Sequence, residues 1–175
     1  MSSKLPSREE ALKLLKETGC SPKVIAHCKA VSKIAVETAL VCRKKGLNVD
    51  VDLVEIGGLL HDIGRSKTHS VNHVIEGAHL AKKQGLPDPV IAIIERHMGG
   101  GITKIEAEEL GWPEGSYMPK SIEQKIVSYA DKLVVTSKRE HIESTINKLR
   151  QEKLFEAANR VRKIHDEITR LIEDT

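Results

Sequence analysis

Aromatic side chains make up only 2% of this sequence, and Trp112, Tyr117, Tyr129 and Phe155 are all of them. Its core must therefore be aliphatic, and the stacking platforms that usually hold single-stranded nucleic acid are scarce. Cysteine is sparse too. Cys20, Cys28 and Cys42 form no Cys-x-x-Cys pair, which excludes a disulfide framework, argues against a thiolate-built structural zinc site, and fits reduced thiols in a cytoplasmic protein. No apolar run approaches the roughly 20 residues needed to span a bilayer. The opening Met1-Ser2-Ser3-Lys4-Leu5-Pro6 has no hydrophobic signal region. A large excess of one charge is missing as well: a net charge of +3 is too small to argue for a nucleic-acid or membrane partner. A soluble globular class remains, with 175 residues read as a single domain long enough to bury a real core.

What is present is helical patterning almost throughout. Ser7 and Glu10 make a capping box before an apolar stretch that Gly19 closes, and Ser21-Pro22 opens a second helix running to about Lys45. A third spans roughly 52–61 and ends at the turn His61-Asp62-Ile63-Gly64. Ser70 is the expected cap of a fourth, Asp88-Pro89 starts a fifth that stops before Gly99-Gly100-Gly101, and Thr103 with Glu106 caps a short sixth. Residues 112–119 read as a loop; Ser121 and Gln124 then cap a helix expected to reach about Lys138. From His141 to Asp174 the chain is charged and helical, with a break expected near Glu152. No strand run is long enough to trust, so the fold class is all-α, a bundle of seven to nine helices.

The dipeptide His61-Asp62 follows the apolar run Ile56-Gly57-Gly58-Leu59-Leu60, where the pattern asks for core residues. Burying an imidazole and a carboxylate is costly unless something pairs them, and a divalent ion satisfies both. Further candidates fall on apolar helix faces. His27 shares a face with Val24, Val31, Ile34 and Ala35; His73 with Gly77, Leu80 and Ala81; His97 with Val90, Ile93 and Ile94; Asp131 with Val127 and Val134. Taken alone, His27, His73 and His97 each read better as a hydrogen-bonded core or boundary histidine than as a ligand. Together, four histidines and two aspartates on inward faces point to a cation. Lys132 is expected to point elsewhere on the helix and to leave Asp131 unneutralised. His69 and His79 have weaker placement, and His141 marks a helix start. His165-Asp166 is a control: it sits mid-helix among charged neighbours with no glycine after it, so it reads as a solvated face.

The order His27, His61-Asp62, Asp131, with the His-Asp-Ile-Gly turn, resembles the HD superfamily of metal-dependent phosphohydrolases over roughly residues 20–140. His61-Asp62-Ile63-Gly64-Arg65, Thr68-His69, His73 and Glu95-Arg96-His97 are similar to small stand-alone archaeal HD proteins. No Gly-Tyr-Pro motif follows the turn, which disfavours the cyclic-di-GMP branch, and no synthetase domain accompanies it. The resemblance implies one metal held by His27, His61, Asp62 and Asp131, and a second bridged by Asp62 and held by His73 and His97. The metal would be Fe, Mn, Ni, Co, Zn or Mg. It further implies hydrolysis of a phosphomonoester or phosphodiester in a nucleotide, cyclic phosphate or related small molecule, by metal-activated hydroxide attacking phosphorus. Arg65, Lys67 and Lys132 are the cations expected to hold phosphate oxygens beside Asp62. A non-catalytic nucleotide- or metal-binding module and a helical adaptor are the competing readings. Apolar positions in 141–175, such as Ile142, Ile146, Val161, Ile164 and Ile168, are expected to pack on the body or on a twin subunit in a homodimer.

Overall fold

The structure, a computed structural model, describes residues 4–173. The first three residues of the opening segment and the expected helix end at Asp174 lie outside them. Among the described residues the elements are α1 (Arg8–Glu17), α2 (Pro22–Lys44), α3 (Val51–Leu60), α4 (His73–Lys83), α5 (Asp88–Arg96), α6 (Lys104–Glu109), α7 (Ile122–Lys132), α8 (Ile142–Gln151) and α9 (Phe155–Ile172). Short 3-10 turns occupy Ile63–Ser66 and Met98–Gly100, and a two-stranded antiparallel hairpin pairs β1 (Val134–Val135) with β2 (Lys138–Arg139). The all-α expectation therefore holds.

Local sequence accounts for most boundaries. All three expected capping boxes form, with Ser7, Thr103 and Ser121 each accepting from the backbone N–H three residues on, while Glu10, Glu106 and Gln124 reach back. Two boundaries differ from expectation. The helix after Ser121 stops at Lys132 rather than near Lys138, because Val134, Val135 and Thr136 are β-branched and turn into the hairpin, closed by a Glu140 N–H to Leu133 carbonyl bond of 2.7 Å. The fourth helix begins at His73, not at a Ser70 cap. The Ser70 hydroxyl is engaged with Thr68 and the Asn72 N–H, and its carbonyl accepts from the His73 ring.

The core is aliphatic. Helix α3 lies against α1, α2, α5 and α7, so its apolar run is enclosed on nearly every side, and Val54, Leu59 and Leu60 are fully buried. The expected break near Glu152 is the α8–α9 turn, where Lys153 has φ +61°. Beyond it, Ala158, Val161, Ile164 and Ile168 of α9 join Ile142 and Ile146 of α8 in the same core as α2 and α7. That apolar stripe packs on the body of this chain, one of the two expected outcomes for these positions. The three aromatics Trp112, Tyr117 and Tyr129 are buried; Phe155 is exposed.

Two close approaches fix where the His61-Asp62 turn sits. A Cβ on Gly58 would lie 2.8 Å from the Cα of Ser32 in α2. One on Gly64 would lie 1.8 Å from the carbonyl oxygen of His73 and 2.6 Å from the amide nitrogen of Gly77. Only glycine lets the Ile63–Ser66 turn rest directly on the backbone of α4.

Candidate metal centre

Every candidate ligand except His27 stands at or within one residue of a helix end. His61 caps α3, His73 opens α4, His97 caps α5 and Asp131 is next to last in α7, while Asp62 follows His61 as the chain leaves α3 with φ −102° and ψ 17°. Consecutive side chains within a helix diverge by about 100°. Past the helix end that constraint lapses, and His61 and Asp62 turn toward the same point.

The structure brings all six together. His27 Nε2 lies 3.0 Å from Asp131 Oδ1 and 3.6 Å from Asp62 Oδ2; His61 Nε2 lies 3.3 Å and 3.6 Å from the same two atoms. On the other side of Asp62, Oδ1 is 3.2 Å from His73 Nε2 and 3.3 Å from His97 Nε2. The ligand atoms fall into two groups, His27/His61/Asp62/Asp131 and Asp62/His73/His97, each within 4.8 Å, with Asp62 common to both. His61, Asp62, His73 and His97 are buried; His27 and Asp131 retain 17% and 13% side-chain exposure, so the centre meets solvent on their side.

The hydrogen bonds determine which ring atom is available. Each imidazole places Nδ1 against a backbone carbonyl: Thr136 for His27 at 2.8 Å, Gly58 for His61 at 2.7 Å, Ser70 for His73 at 2.8 Å and Ile94 for His97 at 2.8 Å. A carbonyl only accepts, so Nδ1 carries the proton, and in the neutral ring Nε2 presents a lone pair. Four such lone pairs and two carboxylates then face one space. His73 Nε2 and His97 Nε2 stand 3.2 Å apart, and the buried atoms His61 Nε2 and Asp62 Oδ1 have no hydrogen-bond partner. This cluster is rich in electron pairs and poor in donors, and a divalent cation is what such a donor set fits.

Burial lowers His97 to about 4, which keeps its lone pair free at neutral pH. His61 is raised: burial opposes its charged form, but Asp62 and Asp131 outweigh it. Burial also works against the charged form of Asp62 and Asp131. The imidazoles around Asp62, and Lys132 with His27 and His61 around Asp131, hold both well below the usual carboxylate range.

Of the expected cations, Arg65 donates from Nε to Asp62 Oδ2 at 3.2 Å and from its guanidinium to the His69 carbonyl at 3.0 Å. Lys132 does not point away. Its flexible stem folds back so that Nζ reaches Asp131 Oδ2 at 2.5 Å, a neutralisation that helix-face spacing alone excluded. Lys67, at the end of the 3-10 turn, is exposed and lines neither cavity at the centre. His69 is exposed at the rim, His79 and His141 lie elsewhere, and Cys28 is buried outside the cluster. Sequence reasoning missed Thr136, whose carbonyl orients His27, and Thr145 and Lys148, which line the cavity from α8. No local pattern marks them, since chain folding alone brings them there.

A family model described as HD domain matches residues 24–136. The chain belongs to the HD-domain family. It is 45% identical over 167 residues to an uncharacterized protein of Methanocaldococcus jannaschii, covering 94% of this chain and 98% of that one. It is 37% identical to the tRNA (cytidine(56)-2'-O)-methyltransferase of Picrophilus torridus, of which it spans 47%, and 30% identical to Ribonuclease Y of Acidothermus cellulolyticus, of which it spans 32%. The HD domain of the L. monocytogenes phosphodiesterase PgpH superposes with a TM-score of 0.57 at 18% identity, covering 90% of this chain and 94% of that domain. A second structure of that domain, in complex with cyclic-di-AMP, gives 0.55. At that identity the likeness is one of fold. No helix among the described residues is long and apolar enough to cross a membrane.

Proposed function

We propose that this chain is a metal-dependent phosphohydrolase of small phosphoesters. The observation that carries the reading is the donor-poor cluster in which Asp62 turns one oxygen to each of two ligand groups. His27, His61, Asp62 and Asp131 would hold one divalent ion, and Asp62, His73 and His97 a second. Such ions lower the pKa of bound water and offset charge on phosphoryl oxygens. Imidazole and carboxylate ligands suit Fe, Mn, Co, Ni or Zn better than a thiolate-selected ion.

The chain's own residues supply the rest. Four backbone carbonyls fix the imidazole tautomers so that no ring must reorient. Lys132 neutralises part of the charge on Asp131 and stands 3.4 Å from the His97 carbonyl, leaving it at the edge of the cavity. Arg65 keeps guanidinium N–H groups beside Asp62, where a phosphoryl oxygen would accept them. Hydrolysis adds water across one P–O bond: the bond to the leaving oxygen breaks, a bond to the water oxygen forms, and the leaving oxygen takes up a proton. We take residues 20–140 as the HD core, with α8 and α9 as an extension built onto it, and the buried thiols as fitting a reducing compartment.

One observation favours a second reading. The methyltransferase relative is about twice this chain's length, so a domain of this kind can accompany another enzyme and act there as a nucleotide- or metal-binding module without turnover. Elemental analysis of protein purified without chelators, followed by a phosphoester panel with Mn, Fe(II), Co or Ni, separates the two. The phosphohydrolase reading requires bound metal and turnover, both lost on chelation. Bound metal without turnover of any ester would leave the module, and protein free of metal would defeat the phosphohydrolase.

A further inference from the structure

The metal centre is the waist of a groove, not the floor of a pocket. On one side a cavity of about 390 Å³ is walled by Lys132, Thr136, Thr145 and Lys148. On the other a cavity of about 360 Å³ is walled by Ser21, Lys23, Val24 and His69. Both include His27, Asp62, Arg65 and Thr136, so the ligand cluster is reached from two arms. Each arm carries an exposed lysine with no carboxylate partner among the described residues: Lys148 on α8 and Lys23 at the start of α2. Glu152 also lines the first arm without forming an ion pair. Neither lysine is part of the ligand cluster. Lys148 and Thr145 lie beyond residue 136, where the family match ends, and Lys23 precedes its start at residue 24.

A phosphomonoester has one organic substituent and needs one arm. A phosphodiester has two, and its chain must leave the reacting phosphorus in both directions. Unpaired cations at both arms fit negative charge on both flanking groups. Building on the phosphohydrolase reading, we propose that the groove selects a phosphodiester with phosphate-bearing groups on both sides, such as a short oligonucleotide, and that Lys23 and Lys148 are its positioning residues. Lys148 holds the phosphate in one arm; Lys23 holds its counterpart in the other. Hydrolysis then leaves a monoester in one arm and an alcohol in the other.

The test pairs binding with turnover. Isothermal titration measures affinity for a 5'-phosphorylated trinucleotide whose linkages are non-hydrolysable phosphorothioates. Steady-state kinetics compares bis(4-nitrophenyl) phosphate with 4-nitrophenyl phosphate. We expect the diester to be preferred, and Lys23→Ala and Lys148→Ala each to weaken trinucleotide binding about tenfold, the loss of one charged hydrogen bond. Exposed Lys163, on α9, is the control: Lys163→Ala should bind as the unaltered protein does. Raised KM with kept kcat for a cleavable trinucleotide marks positioning, which a structural defect would not mimic. Preference for the monoester, or trinucleotide binding untouched in both variants, overturns the proposal while leaving a phosphohydrolase. Binding that depends on both lysines in a protein that cleaves neither ester upholds the groove and overturns the hydrolase.

Discussion

The chain contains two His-Asp dipeptides, and the fold treats them oppositely. His61-Asp62 stands where α3 ends; both residues are buried, and His61 Nε2 has no hydrogen-bond partner. His165-Asp166 stands mid-way along α9, half-buried, with the His165 ring accepting or donating at 3.0 Å to the Tyr129 hydroxyl. It is less solvated than its charged neighbours imply, because Tyr129 of α7 folds over it. Two residues past Asp62 comes Gly64, which lets the turn rest on α4; two residues past Asp166 comes Ile168, a core side chain. Adjacency in sequence is therefore insufficient. Inside a helix the two side chains diverge, and only a chain that leaves its helix at that point, with room to do so, can aim both at one centre.

The comparison breaks most sharply at the carboxylates. Asp62→Ala should remove bound metal and lower phosphoester turnover by about two orders of magnitude or more, since it serves both ligand groups. Asp166→Ala should change neither. Elemental analysis and steady-state kinetics on the two variants read this directly, and retained metal and activity in Asp62→Ala would overturn the centre. Next in size is Gly64→Ala. Its new methyl would meet the His73 carbonyl, a backbone atom that cannot swing aside, so a loss of about 3 kcal/mol in urea unfolding is expected. A midpoint unchanged in that variant would show that the turn has slack.

Smaller effects sharpen the second pair. Tyr129→Phe removes the partner of His165 and should cost about 1 kcal/mol with metal content unaltered; loss of metal would tie the two pairs together. The smallest effect is pH-dependent. Arg160 on α9 holds Glu106 of α6 through two bonds of 2.8 and 2.9 Å, and Glu106 is lowered from 4.5: burial resists its charge, but the Thr103 N–H and Arg160 win. A depressed carboxylate stabilises the fold above its unfolded pKa and loses that contribution as pH falls through the lowered value. Arg160→Gln should therefore cost about 1 kcal/mol at neutral pH and progressively less below pH 4.5. An equal cost at both pH values would remove the ion pair from the account.

Much of this was legible in the residues. Capping boxes at Ser7, Thr103 and Ser121 are local chemistry, and each formed as read. The six converging candidate ligands could be picked out because imidazole or carboxylate on an apolar face is costly wherever it occurs. What stayed hidden depended on contacts distant in sequence or on side-chain flexibility. Lys132 reaches Asp131 by bending a four-carbon stem, which face geometry does not register. Val134 and Val135 fit a helical stripe as well as a strand, so their sequence does not mark where α7 ends. Lys148 joins a groove whose opposite wall includes His27, a pairing that only tertiary structure creates.

Placing candidate ligands at helix ends has a thermodynamic consequence. α3, α4, α5 and α7 each offer a terminus to the same small volume, so two ions sharing Asp62 would tie four rods at a single knot. Unfolding would have to release them, which would link stability to the free ion concentration by mass action, about 1.4 kcal/mol per ion for each tenfold rise above its dissociation constant. The melting temperature of this protein would then serve as a gauge of how much metal its surroundings supply.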